Sequence, residues 1–241
     1  MIERLDDERL QELSQEINLN YLRSKGQDPL DTLCIDIEGV LTDVFHKKIL
    51  YEHFGEKDPG RDGFTSNGIT PLRVKRCGSI KEKVFSADSI VLDYYLRRIE
   101  NSIARRYVLA HELGHIIYGI IVPGQTASSF HSEFDSEMNY TPDQLKSIMS
   151  FSEIEATRIG CAMLMPHFLL INTLHRVMNA EKFPFFGEYQ TMPADSGKLQ
   201  TMANDLGVTP IMLRKELDRQ KLIERRPITE YLDLFGKEVK S

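Results

Sequence analysis

The stretch His111-Glu112-Leu113-Gly114-His115 places two imidazoles four residues apart, with a carboxylate beside the first. In a helix, residues at this spacing lie one turn apart on one face, so both rings can reach a single metal ion. At a spacing of two they would point to different sides. The glutamate then stands next to the same ion and can take a proton from water polarised there, which is the chemistry of metal-assisted hydrolysis. Zinc used in this way needs a third protein ligand, and the nature of that ligand separates the protease classes. The extended form HExxHxxGxxH would require glycine where the chain has Tyr118 and histidine where it has Ile121, so it does not apply.

A glutamate from a second helix is the remaining source. Residues 151–165 carry a helical pattern, stopped by Pro166. Two acidic residues open it. The face that holds Glu153 also carries Ala156, Thr157, Gly160 and Leu164, and small side chains there would let this helix approach the first closely. Glu155 lies about 200° around the helix from Glu153, so one ion cannot take both. Glu153 is therefore the expected ligand. The competing reading of the pair is an exposed acidic first turn favoured by the helix dipole.

The two blocks together resemble the ImmA/IrrE metallopeptidases. The first block is Arg106-Tyr107-Val108-Leu109-Ala110 running into His111-Glu112-Leu113-Gly114-His115. The second is Glu153-Ile154-Glu155-Ala156-Thr157, followed by Leu164-Met165-Pro166. The resemblance covers about residues 30–170. Thr157 stands where the family usually has Asn, and Ile159 where it has Phe; both read as packing departures. The resemblance implies one Zn2+ per chain held by His111, His115 and Glu153, with Glu112 as catalytic base. It also implies a role in cutting a helix-turn-helix transcriptional repressor, switching on stress-response or mobile-element genes.

Composition is compatible with this. The chain has 241 residues, 41% of them hydrophobic, enough for a core with an appendage. A net charge of −6 argues against a surface built to bind nucleic acid throughout. Three cysteines, Cys34, Cys77 and Cys161, have no pairing pattern and read as reduced thiols, with Cys34 and Cys161 expected in the core. Met1 is followed by charged residues, and no apolar run approaches membrane-spanning length. A cytoplasmic protein with no membrane partner is expected.

Three regions are expected to position these residues. Segment 1–29 holds an amphipathic helix over 5–25, with a second short helix starting at Asp28-Pro29. Segment 30–175 is the expected zinc peptidase domain. Strands are predicted at 40–45, 48–54, 83–85 and 89–92, with 55–68 as a polar, turn-rich insertion. An edge of this sheet could hold an extended peptide by strand addition. Residues 120–150 lack periodicity and read as a loop beside the site. His131 and Tyr140 in that loop, and His167 beyond the second helix, are candidates for oxyanion or substrate contacts.

Segment 176–241 contains a helix-turn-helix-like pattern: Ala203 at the crossing, Gly207 in the turn, and Val208, Leu213 and Leu217 in the shared core. From residue 196 onward it has nine Lys or Arg against seven Asp or Glu, a net charge of +2. That is a weak basis for phosphate contacts, so this helical subdomain is expected to brace the catalytic part or dock a partner. The whole is read as an α+β fold in which a small, mostly antiparallel sheet packs on the HExxH helix and a second ligand helix. The expected function is a cytoplasmic zinc metalloendopeptidase. The alternatives are a non-cleaving metal-dependent regulator that binds a repressor, and a DNA-binding regulator acting through residues 198–226.

Overall fold

The structure, a computed structural model, describes residues 5–55, 62–121 and 151–238. Helix α1 (Asp7–Ser24) starts where the Asp6 carboxylate accepts the Arg9 amide at 2.7 Å. Its inward stripe is Leu10, Ser14, Asn18, Tyr21 and Leu22, the spacing that a 3.6-residue period requires. The Asp28 carboxylate then accepts the Leu30 amide at 2.8 Å, so the chain at Asp28-Pro29 forms a turn and not the expected short helix. Helix formation resumes at α2 (Ile37–Gly39), capped by Asp36, and runs into a π-helical turn over Val40–Val44. A strand was expected at 40–45. Val40 and Leu41 are both fully buried, and consecutive burial suits a helical corner better than a pleat with alternating faces.

Strands β1 (Lys48–Glu52), β2 (Gly63–Thr65) and β5 (Ser89–Asp93) form one sheet in the order β1-β5-β2. Strand β5 is central and buried from Ser89 to Leu92; β1 runs parallel to it and β2 antiparallel. Strands β3 (Leu72–Arg76) and β4 (Ser79–Lys83) make a hairpin around Cys77-Gly78, both at positive φ, as a tight two-residue turn demands. The sheets are mixed and not mostly antiparallel, because the chain between β1 and β5 is long enough for the crossover that a parallel pairing needs.

The segment expected to be a polar insertion contains β2, with Phe64 buried. Cys34, expected in the core, is exposed, whereas Cys161 is half-buried. Its thiol is pushed up to about 12, chiefly by burial.

Helix α3 (Ser102–Ile121) crosses α4 (Phe151–Leu164), and Pro166 separates α4 from α5 (His167–Met178). Glycines make the crossing possible. A Cβ on Gly114 would lie 2.0 Å from the Ala156 carbonyl oxygen, and one on Gly160 would lie 2.6 Å from that of Ala110. Strand β6 (Phe183–Phe186) follows, then α6 (Pro193–Leu206), α7 (Pro210–Arg219), β7 (Ile223–Arg226) parallel to β6, and α8 (Ile228–Glu238).

Gly207, at φ 65, ends α6, and Thr209 caps α7 by accepting the Met212 amide. Arg106 of α3 donates to the carbonyls of Ile35 at 2.9 Å and Gly207 at 3.2 Å, tying these helices to the metal helix. One buried cluster includes Leu10 and Leu22 of α1, Leu109 and Leu113 of α3, Ile159 and Leu164 of α4, and Leu206, Leu213 and Leu217. Among the described residues, no single helix is long and apolar enough to cross a membrane.

Candidate metal centre

The α3–α4 crossing brings His111, His115 and Glu153 together, all buried. The two Nε2 atoms lie 3.0 Å apart, and Glu153 Oε2 is 3.2 Å from each. Three ligands on a tetrahedral zinc ion, each at about 2.0–2.1 Å, stand about 3.3 Å from one another, so this triangle is nearly the size zinc requires. With both rings in the Nδ1–H tautomer, two imidazole nitrogens and a carboxylate oxygen converge as three lone pairs, and a cation satisfies all three at once. The donor set therefore fits a metal ion.

Burial is the main reason His111 is held down at about 4, so its ring is neutral at ordinary pH. Burial also opposes charge on His115, but the hydrogen bond its ring donates to Glu153 and the nearby Glu112 and Glu153 carboxylates outweigh it and raise its pKa. For Glu153, burial acts upward, but the two imidazoles overcome it and hold the carboxyl at about 2. The ligand set at neutral pH thus contains a carboxylate, as a divalent cation prefers.

Glu155 is settled by the same helix. It is fully buried on the other side of α4, where both carboxylate oxygens accept Arg158 Nη1 at 2.7 Å. Arg158 also reaches Asp7 Oδ1 at 2.7 Å and the Leu5 carbonyl at 3.0 Å. Glu155 therefore anchors α4 to α1 and is not part of the metal triad.

Two threonines complete the centre. Thr157, one turn beyond Glu153, places Oγ1 3.2 Å from His111 Nδ1. With Nδ1–H donating to that oxygen, the Nε2 lone pair is left for the metal. Thr65 of β2 donates its hydroxyl to Glu112 Oε2 at 2.5 Å, and its backbone also hydrogen-bonds this carboxylate. Glu112 Oε1 is buried and accepts no hydrogen bond among the described residues. Burial raises the Glu112 pKa, offset in part by His115 and by Thr65. Gly63 leaves room for the carboxylate, since a Cβ there would stand 2.6 Å from Glu112 Oε1.

Neither Thr65 nor Gly63 was identified from sequence. Three residues of strand inside a polar stretch leave only Phe64 as a signal, and Thr157 read as a packing variant.

His167 is not brought to this centre. It starts α5, beyond the Pro166 break at the far end of α4 from Glu153, and its Nδ1 lies 2.9 Å from Gln220 Oε1. His131 and Tyr140 lie outside the described residues. In comparisons with known proteins, no family model and no curated protein matches this chain.

Proposed function

We propose that this chain is a zinc-dependent metalloendopeptidase, and that its substrate is a protein of the helix-turn-helix repressor class. The resemblance of its two sequence blocks supports the substrate class. The observation that carries the activity is Glu112, a buried carboxylate with one oxygen held by Thr65 and the other without a partner among the described residues, beside three converging metal donors. Zinc in this triad would act as a Lewis acid on a peptide carbonyl and on water. His111, His115 and Glu153 would hold it, leaving one open position.

Glu112 Oε1 takes the proton from water and returns it to the leaving amine, a task for which a raised pKa suits a carboxylate. Thr65 fixes the direction of that oxygen. Among the described residues strand β2 is an edge of its sheet, and its partner β5 takes the backbone groups of Asp62 and Ser66. The carbonyl of Thr65 and both backbone groups of Gly63 consequently face away from β5, where an extended peptide can add as a further strand beside Glu112.

Pairing within the C-terminal segment weighs against the DNA-binding alternative. Arg219 is taken up by Glu216 and by Asp7 at 3.1 Å, Arg225 by Asp218 at 2.8 Å, and Arg226 by Glu224 at 3.0 Å. Arg214 stacks on Tyr189 at 4.1 Å from the ring centre. Cations already engaged in this way release few counterions on meeting phosphates.

The test combines metal analysis with proteolysis. Wild type and Glu155→Gln should carry one zinc per chain, and His115→Ala and Glu153→Gln should lose it. Glu112→Gln should keep the metal and cut a repressor substrate about 10²–10⁴-fold more slowly. Full zinc in Glu153→Gln, or undiminished cleavage by Glu112→Gln, would refute the assignment.

A further inference from the structure

Behind the metal triad, α4 and α7 enclose a half-open cavity of about 170 Å³. Thr157, Cys161 and Met212 line it, together with Arg158, Lys215, Glu216 and Arg219. The charged groups around it balance. Among the described residues, Arg158 is bound by Glu155 and Asp7, and Arg219 by Glu216 and Asp7, so with Lys215, which is engaged as well, three cations stand beside three carboxylates. Charged atoms held in such pairs leave alkyl stems, a thiol and a thioether as the surface offered to a guest. A closed apolar protein cavity of about 150 Å³ takes up benzene, and this half-open one of similar size offers the same kind of contact on fewer sides. Charge balance disfavours an ionic guest, because no unmatched countercharge would offset the cost of removing it from water.

We propose that this cavity is a binding site for a small, uncharged, apolar molecule of about the size of benzene, and that its occupancy is felt at the metal centre through Thr157. Thr157 belongs to both places: it lines the cavity, and its hydroxyl lies 3.2 Å from His111 Nδ1. A guest packed against its side chain restricts the rotamer that points Oγ1 at the imidazole. The guest therefore pre-organises His111, and metal and guest each bind more tightly in the presence of the other. This coupling rests on the metal reading above, whereas the cavity itself does not. Linkage requires the two enhancements to be equal.

The test uses full-length, metal-free protein with labelled methionine methyl groups and histidine rings, titrated with benzene and followed by NMR. Met212 and His111 resonances should shift together and saturably, with a Kd on the order of 1 mM. Cys161→Leu and Cys161→Met, each checked for folding by circular dichroism, fill the space and should abolish both shifts. Repeating the titration with zinc should tighten benzene binding about fivefold, and benzene should tighten zinc binding by the same factor. No saturable shift at Met212, or a shift that survives in a folded cavity-filled variant, overturns the site. A Met212 shift without any change at His111 overturns the coupling. A protein that takes up benzene with both shifts but binds no zinc would retain the site and refute the metal reading instead.

Discussion

Among the three candidate ligands, His111 depends on a neighbour that would itself bind no metal. Thr157 is that neighbour, because its hydroxyl at Nδ1 favours the tautomer of His111 that leaves Nε2 as a lone pair. Thr157→Val keeps the shape and removes the oxygen, and should weaken zinc binding about 10–100-fold, while Thr157→Ser should restore most of it. Competitive chelation on the purified variants measures this. Proton competition should also be visible. His115 titrates above 6.5 in the metal-free fold and His111 only at about 4, so one proton at His115 opposes the metal between those values. Apparent zinc affinity should be flat at high pH and fall about tenfold per unit below the His115 pKa, steepening near pH 4. The sign for folding is opposite: the raised pKa stabilises the metal-free protein below 6.5, and that contribution is lost as pH rises through the folded value. A pH-independent zinc affinity would remove His115 from the ligand set.

Among the elements, the contact between α3 and α4 decides whether the triad exists. Glu153 has a short stem, so the two backbones must come close, and Gly114 and Gly160 allow it. Gly114→Ala would drive a methyl group into the Ala156 carbonyl, and neither helix backbone can yield cheaply. It should destabilise the protein by about 3 kcal/mol or more and lower zinc affinity in whatever remains folded, measurable by urea unfolding and metal titration. Unfolding midpoints equal to wild type would mean that the helices are not held this tightly. Strand β2 acts at the same scale. It aims Thr65 at Glu112 and leaves its outer edge beside that carboxylate.

Across the whole molecule, the C-terminal helices are part of the structure that holds the centre. Leu206, Leu213 and Leu217 share the core with α3 and α4, the Gly207 carbonyl accepts Arg106, and Arg219 joins Arg158 on Asp7. Ending the chain before Lys198 would strip these contacts, expose the apolar face of α4 and α5, and leave Arg106 and Asp7 without those partners. The truncated chain should lose cooperative unfolding and zinc together, seen by circular dichroism and rapid proteolysis. A truncated protein that unfolds cooperatively and keeps its metal would make the segment a separable appendage.

How much was legible in the sequence follows from the range of the interactions involved. His111, His115 and Glu112 were readable because an i,i+4 spacing becomes a shared face through helix geometry alone. Glu153 was separable from Glu155 because the small side chains mark which face of α4 approaches another helix. The helical period of α1 and the stop at Pro166 were equally local, although the polar Ser14 and Asn18 buried on that helix were not read from it. Where competing local signals met, tertiary context decided. The 40–45 segment alternates weakly but buries adjacent residues, so it coils. The β2 strand is too short to announce itself and exists because β5 offers it an edge. Thr65 and Gly63 are 47 and 49 positions from Glu112, and Thr157 is 46 from His111, so no periodicity links them. Residue types and local spacing determined which side chains could bind a metal ion and take a proton. Only chain packing decided what orients them, because a hydrogen bond between distant segments leaves no trace in the spacing of either.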